Sequence, residues 1–108
     1  MDLSDVIHKA VRERRQLSLR GKEDLGSRVV EPHIVYVAAN GNVLVDFYQT
    51  SGYSSSGGLP AWRRLALTDI LEASLLPQSF SPRTAEGYNP GGKRYVQIMS
   101  QIPLGSGR

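Results

Sequence analysis

The chain has 108 residues and a formal net charge of +3, from 13 Lys and Arg against 10 Asp and Glu, and it contains no cysteine. This length suits one hydrophobic core, and the missing thiols exclude a disulfide framework, a thiolate zinc site and a thiol nucleophile. No apolar run approaches the roughly 18 residues a membrane span needs, and residues 1–20 mix acids and arginines in a way unlike a signal peptide. The expectation is a cytoplasmic single domain over 1–103 with no membrane association, a disordered tail at 104–108, and a basic surface that permits an anionic partner without requiring one.

Leu3, Val6, Ile7, Ala10 and Val11 recur at the spacing of one helical face, which predicts a helix from about Leu3 to Arg14. Asp2 or Ser4 is placed to cap it, and the acids at Asp2 and Asp5 suit the positive end of its dipole. The period then changes to two. Gln16–Arg20 reads as a strand, Gly21–Ser27 as a polar turn, and Arg28–Tyr36 as a Val/Ile-rich strand in which Pro32 marks a bend, a bulge or an edge. Asn40-Gly41 predicts a hairpin, because both residues tolerate positive φ. After a Ser/Gly-rich stretch, "WRRLALTDILEASLL" gives a short strand, a tight turn near Asp69 and an extended piece reaching Leu76. Pro77–Gly92 reads as loop, and Arg94–Ile102 as a returning edge strand. One helix followed by five or six short strands predicts a mainly β domain, a small and strongly bent antiparallel sheet or barrel.

The stretch "SGYSSSGGLPAWRRL", Ser51–Leu65, has the composition of a functional loop but lacks the spacing of one. A nucleophile elbow requires Gly-x-Ser-x-Gly between strand and helix; no serine here has glycine two residues away on both sides. A phosphate-binding loop requires Gly-Lys-Ser/Thr leading into a helix, and this loop has no lysine. It therefore reads as a mobile hairpin tip that closes over a small pocket, with Arg63 and Arg64 at its base. Two histidines, His8 and His33, and scattered acids such as Asp24, Asp46 and Asp69 show no metal-ligand spacing. Neither a catalytic constellation nor a cofactor is indicated, so the chain reads as a non-enzyme. The basic residues carry more information. Arg12, Arg14, Arg15 and Arg20 cluster at the helix exit, Arg28, Arg63 and Arg64 lie on or beside strands, and Tyr36, Tyr48, Tyr53 and Trp62 offer flat surfaces for stacking.

From Ser27 to Ile70 the pattern resembles the WYL domain family, in particular its short, stand-alone bacterial members. The matching features are an N-terminal helix ending in basic residues, the element Arg28-Val29-Val30-Glu31-Pro32-His33, and the Asn-Gly hairpin. After these come the strand "NVLVDFYQTSG", the Ser/Gly loop, the strand led by Trp62, and Phe80 ahead of "GYNP". The resemblance spans about residues 3–90. It implies a small SH3/Sm-like antiparallel β-barrel acting as a ligand-sensing or nucleic-acid-sensing module of transcription regulation. By position it marks Arg28, His33 and Arg63 as ligand-binding residues, with Arg64 and Tyr36 beside them. Two departures bear on that. The naming tripeptide falls at Asn42-Val43-Leu44, and the family's arginine-bearing strand reads Leu65-Ala66-Leu67-Thr68-Asp69-Ile70, with Ala66 and Asp69 where arginines are expected.

The resulting expectation is a module that binds an anionic ligand, either a nucleotide-like molecule or single-stranded nucleic acid. The alternative is a protein-interaction or self-association module, docking on a regulatory protein or forming a homo-oligomer through a strand edge.

Overall fold

The computed structural model describes residues 2–55 and 57–104; the expected tail beyond Leu104, and Ser56 of the Ser/Gly stretch, lie outside the described residues. Helix α1, Leu3–Glu13, is the one the apolar spacing predicts. The Asp2 carboxylate accepts the Asp5 N–H at 2.9 Å and so caps the first turn. Arg14 ends the helix at φ 54°, its N–H turning back to the carbonyls of Ala10 and Val11. Ile7, Ala10 and Val11 are fully buried, and burying an aliphatic side chain of the Ile or Val kind contributes about 1.5–3 kcal/mol.

Six strands follow: β1 (Arg15–Gly21), β2 (Arg28–Val37), β3 (Val43–Gly52), β4 (Ala61–Ala66), β5 (Ile70–Ser79) and β6 (Gln97–Gln101). Every pairing is antiparallel. The sheet order is β4-β3-β2-β1-β5, and β6 pairs with β2 off that path. Both edges of β2 are in use. One runs along β3, and the other pairs first with β1 through Val29 and Val30 and then with β6 through Ile34–Val37. The disruption expected at Pro32 is a register shift between Pro32 and Ile34, in the stretch where β2 changes neighbour.

Two expectations need correction. The sheet is open: β4 and β5 are its two ends, joined by a short 3-10 turn at Leu67–Asp69, and among the described residues no ladder connects them. Second, β5 does not stop at Leu76 but runs through Pro77 to Ser79. It is an end strand, where a missing backbone donor is tolerated, and Arg15 Nε holds the Leu76 carbonyl at 3.1 Å. The expected Asn-Gly hairpin is present and spans Ala38–Asn42; Gly41 takes the positive φ, and Asn40 accepts the Asn42 N–H through Oδ1 at 3.0 Å.

The core joins the buried face of α1 to Leu17, Val30, Val45 and Phe47 of the sheet. No helix among the described residues is long and apolar enough to cross a membrane.

Gly41 and Gly52 both have positive φ, 89° and 94°, but their surroundings differ. A Cβ at Gly41 meets open space, whereas one at Gly52 overlaps the Ser27 carbonyl and Arg28 Cα. Gly41→Ala is expected to cost about 1–2 kcal/mol from backbone conformation alone. Gly52→Ala should cost clearly more, because backbone must also move. Urea unfolding of both variants checks the ordering.

Candidate functional site

The β3–β4 register builds the site. Asp46 stands opposite Arg64 and Tyr48 opposite Trp62, so these four share one face, while Val45 and Phe47 enter the core on the other. Asp46 is 5% exposed. Its Oδ1 accepts the Tyr36 hydroxyl at 3.0 Å and Arg64 Nε at 2.9 Å. Its Oδ2 accepts the Tyr95 hydroxyl at 2.7 Å, and the Arg94 guanidinium lies 3.9 Å away. One carboxylate thus faces two guanidiniums. Burial, and then the Asp46 charge, push the Tyr36 and Tyr95 hydroxyls above the ordinary tyrosine value, so both remain donors. The hydrogen bond to Asp46 raises Arg64 further.

A second cluster fixes the segment that faces this strand pair. His33 is fully buried. Its Nδ1 lies 2.8 Å from the Glu31 carbonyl and must donate to it, which leaves Nε2 to accept the Arg83 backbone N–H at 3.1 Å. Both ring nitrogens are satisfied only in the neutral form. Trp62, Phe80 and Tyr88 surround the ring at centroid distances of 4.9, 5.1 and 4.9 Å. The Trp62 indole N–H donates to the Glu86 carbonyl at 2.8 Å. Arg83 grips the buried Glu31 carboxylate at 2.7 and 3.1 Å and lies over the Tyr48 ring. Residues 80–88, expected to be loop, are loop apart from a 3-10 turn at Thr84–Glu86, yet these polar and aromatic contacts hold them to the sheet.

Between β3–β4 and residues 86–95 lies a cleft of about 550 Å³, bordered by Asp46, Trp62, Arg64, Tyr88, Arg94 and Tyr95 among others. A neighbouring groove of about 510 Å³ shares Arg64 and Arg94 with it. Among the described residues, the Tyr88 hydroxyl is the one buried side-chain polar atom without a hydrogen bond. Burial, with the nearby Asp46 charge adding to it, pushes Tyr88 up to about 12. An unmet buried hydroxyl costs about 1–3 kcal/mol.

Of the five residues expected to bind ligand, Tyr36 and Arg64 meet at Asp46. Arg63 borders the cleft but reaches Ser54 Oγ at 3.2 Å and the Gly57 carbonyl at 2.9 Å, tying the Ser/Gly loop to β4. His33 lies beneath the cleft as a support for Trp62 and Tyr88. Arg28 is elsewhere, in a two-pronged pair with the buried Asp24 at 2.7 and 2.7 Å and a third bond to Gln49. That pair holds the Asp24 carboxyl below its ordinary value. The described residues of the Ser/Gly loop do not line the cleft; residues 86–95 do. Asp46, Tyr88, Arg94 and Tyr95 were not singled out as ligand-binding. The trace of the last three in the sequence is "YNPGGKRY", two tyrosines and two cations in a Gly/Pro-rich stretch that offers the rings no local reason to be buried.

No protein-family model, curated protein or solved structure matches the chain. Among the described residues, no group of three or more His, Cys, Asp or Glu could hold a metal ion.

Burial lowers the His33 pKa. The unfolded imidazole therefore takes up its proton first as pH falls, so this contribution to stability is full above about pH 6.5 and declines below it until the folded value is passed. Thermal midpoints taken from about pH 7.5 to about pH 5.5 should fall in the native chain, and His33→Gln should flatten that fall. An unchanged slope in His33→Gln would place the pH response elsewhere, with His8, also lowered by burial, the next group to test.

Proposed function

We propose that this chain is a cytoplasmic, non-enzymatic regulatory module that binds an anionic ligand, nucleotide-like or a short single strand, in the cleft at Arg64 and Arg94. The observation that carries the reading is the charge count at Asp46. Two guanidiniums share one carboxylate that already accepts hydrogen bonds from Tyr36, Tyr95 and Arg64, and Arg94, 3.9 Å away and 60% exposed, is the less engaged of the two. A guanidinium presents a planar fork suited to phosphate or carboxylate. Trp62 and Tyr95 border the same cleft and offer ring faces for stacking, and the unpartnered Tyr88 hydroxyl lies beside it. The consecutive antiparallel strands around β2 support an opened version of the SH3/Sm-like barrel, in line with the WYL-like reading of the sequence.

The catalytic alternative has one pair to rest on, His8 Nδ1 and Ser100 Oγ at 2.7 Å. Among the described residues no carboxylate hydrogen-bonds the other nitrogen of that ring, so the orienting member of a triad is missing. The pair docks β6 on α1. Self-association is a second reading with a specific basis: among the described residues β6 pairs only with β2, and Val96 just before it and Met99 within it are 81% and 51% exposed.

Fluorescence-anisotropy titration of short labelled single-stranded DNA and RNA at two salt concentrations tests the proposal. Affinity should fall with salt, with a log–log slope of about −0.7 per phosphate contacted. Arg94→Ala and Arg64→Ala should each weaken binding about tenfold or more, the size of a lost hydrogen bond to a charged group. Arg28→Ala should lower stability and leave the affinity of the folded chain unchanged. Binding indifferent to salt and to both cleft arginines would overturn the proposal. Absence of binding together with a stable dimer would favour self-association.

A further inference from the structure

We infer that the ligand of this site carries an apolar group as well as a negative charge, and that the apolar group lies in the groove beside the cleft. The inference rests on the anionic reading of Arg64 and Arg94 above and adds a second requirement to it. The groove, about 510 Å³, runs between the β2–β3 hairpin and residues 93–97. Its apolar lining comes from Val37, Ala38, Leu44 and Val96, while Arg64, Lys93 and Arg94 supply three cations and, among the described residues, no carboxylate lines it. Lys93 forms no ion pair among the described residues. Val96 is 81% exposed, so a large aliphatic side chain stands open to solvent near Lys93 and near Arg94, which shares Asp46 with Arg64.

A bare anion gains nothing from apolar walls, and a neutral apolar ligand leaves the cations unmatched. An amphipathic monoanion meets both conditions. Arg64 lies 2.9 Å from Asp46 and Arg94 3.9 Å, so Arg94, with Arg64 behind it and Lys93 beside it, receives the anionic head, while a short apolar chain covers Val96 and Leu44. The ligand class is therefore an anionic head carrying an apolar group of a few carbons, a nucleotide-like ligand with such a group included, and short-chain carboxylates serve as its simplest probes. Full burial of a methylene corresponds to about a fourfold gain in affinity, and a groove open to solvent on one side should deliver about two- to fourfold.

Isothermal titration calorimetry of the full chain with acetate, butanoate, octanoate and inorganic phosphate distinguishes the parts of this account. The expected result is affinity rising about two- to fourfold per methylene, a shallower rise in Val96→Ser, and loss of octanoate binding in a Lys93→Ala, Arg94→Ala double variant. All three positions are exposed, and circular dichroism checks that the variants stay folded. Equal affinity for acetate and octanoate would overturn the apolar subsite and leave the anionic reading standing. Chain-length dependence that survives the double variant would overturn the placing of the head group. Failure of both phosphate and every carboxylate to bind would overturn the inference and the anionic reading together.

Discussion

The buried carboxylate of Asp46 is the interaction on which the rest of the cleft depends. Removing a carboxylate from water costs several kcal/mol unless donors replace the lost hydration. Here Tyr36 and Arg64 meet one oxygen, and Tyr95 meets the other at 2.7 Å. These donors come from β2, β4 and the segment before β6, so one charge fixes three parts of the chain that are far apart in sequence. The same arrangement leaves the region with more positive than negative charge, because Arg94 approaches a carboxylate that is already occupied. Structure and the proposed binding chemistry thus have a common origin. The contacts that hold residues 86–95 against β3 and β4 also create the surplus guanidinium.

A second buried carboxylate, Glu31, plays the matching part at the other end of the covering segment. Its two-pronged grip on Arg83 and the His33 acceptor for the Arg83 N–H pin the chain where it leaves β5. Trp62 then spans the two anchors, packing on His33 and Tyr48 while donating to the Glu86 carbonyl. A Gly/Pro-rich segment without regular structure would ordinarily be mobile, and these anchors are what give it a defined surface. They also explain why His33, which looks like a ligand group in the sequence, is better understood as a support: both of its nitrogens are already committed.

Local features of the fold were legible in the sequence and non-local ones were not. Helix α1 follows from the Leu3–Val11 spacing and the Asp2 cap, both of which act within a few residues. The end of β5 was missed because the tolerance of Pro77 depends on the strand lying at a sheet end, a property of the whole topology. For the site, the alternation that puts Arg64 and Trp62 on one face is visible along β4, but their partners Asp46, Tyr88 and Tyr95 are set by pairing and by the return of residues 80–96. Arg28 is marked as a ligand group by its position in the family resemblance, although Asp24 four residues earlier already supplies the carboxylate that satisfies it. The Ser/Gly loop drew attention through composition, yet Arg63 ties its described part to β4, away from the cleft walls.

The most direct test of the central claim is a nuclear magnetic resonance titration with a mononucleotide, following the Nε–H signals of Arg64, Arg94 and Arg28 and the indole N–H of Trp62. The account predicts that Arg94, Arg64 and Trp62 shift together with one saturation curve while Arg28 stays still. Movement of Arg28 without the cleft arginines, or no movement of any of them at saturating ligand, would contradict it.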